Sequence, residues 1–267
     1  MTYLMETANE AQRLLMKSDE ATSKEQLLLT GLRLGMTAVD AGGGAGFVTK
    51  IMAEIVSPSG KAILVDQSSE RLAQAKQHVG QLSQFLTQEC SLEEMSIETG
   101  TIDYVFCRFV FEYLQNPEKV FAELLRILKP GGKLVVGDLD HNILSHYPLS
   151  PRLESQLYEV SQILAQKKLW DAYAGRKLYS HFYRHSLCDI KVHLIPHHLF
   201  YGSAADKDVQ NWEAKLDRIQ DLQNSGVLKL SFDVGEFRKE FMKFFRDPGR
   251  FSYSPLILVE GVKASTQ

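Results

Sequence analysis

The run Asp40-Ala41-Gly42-Gly43-Gly44-Ala45-Gly46 sets a carboxylate ahead of four glycines within seven residues. Glycines let a backbone turn tightly and let a ligand approach its amides closely, with the electropositive start of a helix behind them. That is chemistry for holding a polar ligand, and the spacing separates ligand classes. A dinucleotide site needs Gly-x-Gly-x-x-Gly or Ala, the last small residue allowing helix and strand to touch. Gly42 and Gly44 fit that pattern, but its final position falls on bulky Phe47. A nicotinamide-dependent oxidoreductase is therefore disfavoured. A second carboxylate, Asp66, ends the apolar run Ala62-Ile63-Leu64-Val65.

Proton-transfer groups are fewer. His141 lies in Asp138-Leu139-Asp140-His141, just past an expected fifth strand, and His146 and Tyr147 follow. His141 and Tyr147 are the candidate catalytic residues, on their nearness to the cleft alone. His181 and His185 stand four apart on an expected helix and could share a face. They lack the glutamate of a zincin motif and an obvious third ligand, so no metal is expected. His193, His197 and His198 read as strand surface.

These residues need elements to position them. The spacing predicts amphipathic helices over 4–17 and 24–32. A strand at 37–40 leads into the glycine loop, followed by a helix over 47–56. A strand at 62–65 ends at Asp66, and Ser68 or Ser69 caps a helix reaching about Gln81. Strands at 85–88 and 104–107 follow. Asn116-Pro117 opens a helix that stops at Lys129-Pro130-Gly131-Gly132, and a fifth strand occupies 134–136. Strand and helix in alternation imply an open parallel sheet with right-handed crossovers. Ligands of such sheets sit outside the carboxyl ends of the strands. The glycine loop, Asp66, Cys90-Ser91 and Cys107-Arg108 are thus expected to converge. Beyond Asp138 the rhythm breaks into helices opening at Ser150-Pro151, at 175–186 and at 206–224. A strand at 190–199, a phenylalanine-rich helix around Phe241 and a closing strand at 256–262 complete the pattern.

At this point the sequence resembles the class I S-adenosylmethionine-dependent methyltransferases, whose first motif is Asp-x-Gly-x-Gly-x-Gly. Val65-Asp66-Gln67-Ser68 looks like the second motif. Glu89-Cys90-Ser91-Leu92-Glu93-Glu94 sits where the family has Gly-Asp-Ala and acidic residues. Asp103-Tyr104-Val105-Phe106-Cys107-Arg108-Phe109 is similar to strand four. Leu125-Arg126-Ile127-Leu128-Lys129-Pro130-Gly131-Gly132 is similar to the turn before strand five. The resemblance covers 34–138, about half the chain.

The resemblance implies S-adenosyl-L-methionine as cofactor and S-adenosyl-L-homocysteine as product. It places Asp40, Gly42, Gly43 and Gly44 along the methionine part, Asp66 on the ribose hydroxyls and Gln67 beside the adenine. Cys90, Ser91, Leu92 and Arg108 complete the cofactor site. Cys90 departs from the aspartate usual there, and a thiol accepts hydrogen bonds weakly. Arg13 of the first helix would reach the cofactor carboxylate. The implied fold is α/β, a Rossmann-like open sheet of about seven strands, mostly parallel with an antiparallel C-terminal strand, plus a helical lid. The corresponding domains are an N-terminal helical cap (1–33), the cofactor core (34–138), and lid helices with C-terminal strands completing the same sheet (139–267).

Composition narrows the substrate. The 267 residues carry a net charge of −3, with acidic and basic residues interspersed, so no basic stripe marks nucleic acid as a partner. No apolar run approaches the roughly 20 residues of a membrane span. Three scattered cysteines fit a reducing, cytoplasmic compartment. Cys107-Arg108-Phe109-Val110 lacks the Asn/Asp-Pro-Pro-aromatic signature of base N-methyltransferases. The nearest resemblance is to quinone, sterol and natural-product methyltransferases, so the expected acceptor is a small, partly apolar molecule. Trp170, Tyr173, Tyr179, Phe182 and Tyr183 are expected to wall its pocket. A homodimer remains open, as does a catalytically silent protein that binds the cofactor. Orientation supplies much of the rate in an in-line methyl displacement, so no fixed catalytic constellation is expected.

Overall fold

The computed structural model describes residues 19–142 and 144–265; the expected first helix and Arg13 lie outside the described residues. Helix α1 (Glu20–Leu29) starts four residues before the sequence pattern predicts, because Asp19 caps it by accepting from the amides of Ala21 and Thr22. The core then alternates as expected: β1 (Thr37–Ala41), α2 (Phe47–Val56), β2 (Lys61–Asp66), α3 (Ser69–Val79), β3 (Phe85–Glu89), β4 (Ile102–Arg108), α4 (Pro117–Ile127) and β5 (Leu128–Leu139). β5 is longer than predicted. The Lys129–Gly132 turn is drawn into the strand, with Leu128 beside Ile102 and a register shift before Tyr104 meets Lys133. The remainder is β6 (His146–Tyr147), α5 (Pro151–Gln166), α6 (Ala174–Arg184), β7 (Cys188–Tyr201), α7 (Asp206–Asn224), α8 (Val234–Phe245) and β8 (Phe251–Val262).

Among the described residues the sheet has eight strands, running β3-β2-β1-β4-β5-β8-β6, with β7 on the other side of β8. Pairs among β1 to β5 are parallel, and β8 is antiparallel to β5, β6 and β7. Parallel strands need cover on both faces, which explains their apolar runs. Val39, Val105 and Leu134 pack with α4 and α6 around Phe121 and Phe182. Ala38, Tyr104, Phe106 and Val135 pack with α1 and α2 around Leu27 and Met52. β8 outruns β5 by pairing with β6 at Phe251 and Ser252. Over that extension the lid helices bury a cluster of their own, including Leu157, Trp170, Trp212, Phe237, Phe241 and Phe245. The phenylalanine-rich helix is core packing.

One contact seats the lid on the sheet. Gly175, in the first turn of α6, lies so close to the end of β5 that a Cβ there would stand 2.7 Å from the Asp138 carbonyl oxygen. Backbone cannot yield as a side chain does. Gly175→Ala is expected to lose about 1–3 kcal/mol of stability, read as a lower denaturation midpoint at unchanged slope. An unshifted midpoint would show that the seat is loose.

Candidate active site

The turn after β1 is made by three positive-φ glycines, Gly42 (75°), Gly44 (55°) and Gly46 (79°). L-residues with a Cβ resist this conformation. The Gly42 amide donates to the Val65 carbonyl at 2.8 Å. The Gly44 amide donates to Asp66 Oδ2 at 3.0 Å, and Ser68 N–H donates to Asp66 Oδ1 at 3.0 Å. Asp66, only 7% exposed, is thus held against the loop on both oxygens. A carboxylate offers about four acceptor sites, so each oxygen keeps one for a ligand hydroxyl. A Cβ at Gly44 would meet no heavy atom within 4 Å, so the loop faces open space there. At Gly42 it would strike Val110 at 2.7 Å and approach Leu92 at 3.6 Å. The segments after β3 and β4 therefore close on the loop. Phe47, which breaks the dinucleotide pattern, is accommodated by lying over His78.

Asp40 sits beneath the loop, 3% exposed, accepting from Thr49 Oγ1 at 2.6 Å. Burial raises its pKa to about 6 against the opposing pull of Thr49 and the Arg108 charge. The other predicted residues are more varied. Gln67 is exposed beside Asp66. Cys90 donates its amide to the Asp66 carbonyl at 3.2 Å, so the strand end forms whatever the side chain is. Its thiol lies 3.7 Å from Gln88 Oε1, and burial pushes its pKa up. Ser91 Oγ accepts from Glu93 N–H at 3.2 Å. Arg108 turns to α1, donating to Gln26 Oε1 at 2.7 Å and Ser23 Oγ at 3.2 Å. Burial lowers its pKa to about 10.

Several expectations need correction. Cys107 is wholly buried in the core, since strand alternation turns it into the sheet face that α4 covers. Tyr147 is 72% exposed. In the two-residue β6, His146 takes the inward position, bonded to Ser252 Oγ at 2.8 Å and ringed by Trp212, Phe241 and Phe244. Tyr147 is left facing solvent and is withdrawn as a catalytic candidate. Tyr179 and Tyr183 are also exposed, stacked on each other outside α6. His193 is more than strand surface, because it meets the buried Glu260 at 2.9 Å beside Lys133. His141 is half-buried, 2.6 Å from Ser145 Oγ and beside the Tyr173 ring, with its pKa lowered by burial. His181 and His185 both meet Glu118, at 3.1 and 3.0 Å, tying α6 to α4. Among the described residues no three His, Cys, Asp or Glu are grouped to hold a metal ion.

One group of residues was not picked out from the sequence. Glu112, just past β4, and Asp138, the last residue but one of β5, are 5% and 0% exposed and buried together. Asp138 accepts from the amides of Glu112 (2.9 Å) and Leu139 (2.8 Å). Glu112 Oε2 accepts from Trp170 Nε1 at 2.8 Å and Asn142 Nδ2 at 3.3 Å. Burial raises both carboxyl pKa values, and the neighbouring Glu112 pushes Asp138 further. The available signal was a lone carboxylate in the apolar stretch Phe109-Val110-Phe111-Glu112.

Comparison with known proteins agrees with this architecture. Residues 39–136 match the family model described as a methyltransferase domain. An uncharacterized protein encoded in a Streptomyces fradiae transposon is 34% identical over 137 residues, 50% of this chain and 40% of its own length. A ubiquinone/menaquinone biosynthesis C-methyltransferase of Salmonella arizonae is 26% identical over 49% of this chain and 53% of its own. The chain thus spans about half the length of these curated relatives. Among solved structures, Haemonchus contortus phosphoethanolamine N-methyltransferase 2 was determined with phosphomonomethylethanolamine and S-adenosylhomocysteine. It superposes on 91% of this chain and 53% of its own, with TM-score 0.57 and 19% identity, a likeness of fold. Strand order and glycine turn agree with the match of residues 39–136 to a methyltransferase domain.

Proposed function

We propose that the chain transfers the methyl group of S-adenosylmethionine to a small, partly apolar molecule. The observation that carries this reading is the Gly44–Asp66 cradle, which holds a carboxylate beside open space at the mouth of the glycine loop. Asp66 would take the ribose hydroxyls on its remaining lone pairs. Gly42, Gly43 and Gly44 would lie along the methionine part above Asp40. Gln67, Cys90, Ser91 and Leu92 would border the adenine, which packing and backbone groups hold in place of the usual aspartate. Arg108 would act at one remove, fixing α1. The cofactor supplies an electrophilic methyl on sulfur, and the protein's part is to align the acceptor with it.

The lid favours a small acceptor, with Trp170 bonded to Glu112, Tyr173 beside His141 and an apolar cluster around them. The Salmonella arizonae relative is named for C-methylation in quinone biosynthesis, but the likeness spans only half of each chain, so its acceptor is not carried over. Among the described residues no helix is long and apolar enough to cross a membrane. Three unpaired cysteines fit a reducing compartment, and we place the activity in the cytoplasm.

Two measurements test the cofactor site. Asp66→Ala should weaken S-adenosylhomocysteine binding in calorimetry by about 1–3 kcal/mol through lost charge-assisted bonds; an unchanged affinity would contradict the assignment. Asp40 gives a proton signature. Its folded pKa of about 6 lies above the reference 3.8, so folding retains a proton between those values. The stability it contributes is therefore present at low pH and lost as pH rises through about 6. S-adenosylmethionine brings a sulfonium and an ammonium, which favour the ionised carboxylate. Binding near pH 6 should release part of a proton, seen as heats that differ between buffers of different ionisation enthalpy. The difference should be largely lost in Asp40→Asn; equal heats at pH 6 would move the cations away from Asp40.

A further inference from the structure

Across the carboxyl edge of the sheet, four sites follow one another: Asp66 after β2, the glycine loop after β1, Glu112 after β4 and Asn142 after β5. β4 lies beside β1 and β5 beside β4, so the last two belong to the loop's side of the sheet. Asn142 is 6% exposed and its main chain is fixed, its amide donating to the Ala172 carbonyl at 3.1 Å. Its side-chain NH2 points to Glu112, which turns the side-chain oxygen the other way. That oxygen, Oδ1, is buried with no hydrogen-bond partner. Leaving an acceptor so costs stability, and structures retain such groups where a ligand completes them. The Trp170 indole donates to the same Glu112 oxygen, Oε2.

We propose that Asn142 Oδ1 and the Glu112 carboxyl group recognise the methyl acceptor, and that they select a nucleophilic nitrogen or oxygen bearing a hydrogen. This rests on the methyltransferase reading above and names its acceptor class. The N–H or O–H donates to Asn142 Oδ1, which turns the nucleophile's lone pair toward the glycine loop. The lone pair forms a bond to the methyl carbon, the carbon–sulfur bond breaks, and its electron pair stays on sulfur as a neutral thioether. The hydrogen leaves as a proton, to ionised Glu112 or to water. A carbon nucleophile without such a hydrogen would leave Oδ1 unsatisfied beside it.

The test uses the full chain, tritium-labelled S-adenosylmethionine and a small-molecule extract as acceptor pool. Hot hydriodic acid releases methyl from nitrogen or oxygen as volatile methyl iodide and leaves methyl on carbon in place. Volatile label is expected from the wild type. Asn142→Leu should lower kcat/KM for that product about 10–100-fold, with S-adenosylhomocysteine affinity unchanged, and Asn142→Asp should recover part of the loss by restoring an oxygen. Should the leucine variant not fold, Glu112→Gln takes its place, with kcat expected to fall while cofactor affinity holds. Non-volatile label, no transfer by a protein that binds cofactor, or wild-type kinetics in the folded variants would overturn the proposal. A wild type that binds no cofactor strikes the underlying reading instead.

Discussion

The amide of Gly44 donates to the Asp66 carboxylate at 3.0 Å, tying the turn after β1 to the end of β2. Much of the edge depends on this bond. It requires positive φ at Gly44, and the same turn demands it at Gly42 and Gly46. It holds the carboxylate against the loop, where Ser68 fixes the second oxygen. A buried carboxylate is tolerated only when bonded in this way. Because the donors are main-chain groups, only a change of loop conformation would release it. Gly42 in turn admits Val110 and Leu92, so the segments after β3 and β4 settle against the same turn.

Acidic groups continue along the edge in different states. Asp40 lies beneath the loop with a pKa near neutral, balanced between burial and the Thr49 and Arg108 contacts. Burial raises the Asp138 and Glu112 carboxyl pKa values as well, that of Asp138 well above the usual carboxylate range. Two like charges could not both be sustained there without a cation between them. The lid makes this environment: Trp170 bonds Glu112, the Gly175 turn rests on β5, and α8 shuts the apolar side. The glycine-loop side of the edge is thus built by main-chain geometry, whereas the Glu112–Asp138 side is built by burial.

That division explains what the sequence disclosed. The alternation from Thr37 to Leu139 was legible because β1, β2, β4 and the end of β5 are largely apolar runs, with a weaker signal at the polar β3, and the glycine loop because three positive-φ positions disfavour other residues. Helix α7 was legible to its ends from the aligned Trp212, Leu216 and Ile219. Tyr147 was misjudged because a two-residue strand has no periodicity to say which side faces in. The aromatic wall was overdrawn because Tyr179 and Tyr183 sit on the outer side of an amphipathic helix whose inner side is Leu178, His181 and Phe182. Glu112, Asn142 and Trp170 are far apart in sequence, and only the folding of the lid over β4 and β5 brings them together.

The central claim is that Asp66 and the glycine turn form one nucleoside-binding surface. A crystal structure with S-adenosylhomocysteine tests it most directly. The account predicts both ribose hydroxyls within about 3 Å of the Asp66 oxygens and the amino-acid end along Gly42 to Gly44. A ligand lodged elsewhere, or a ribose without contact to Asp66, would contradict it.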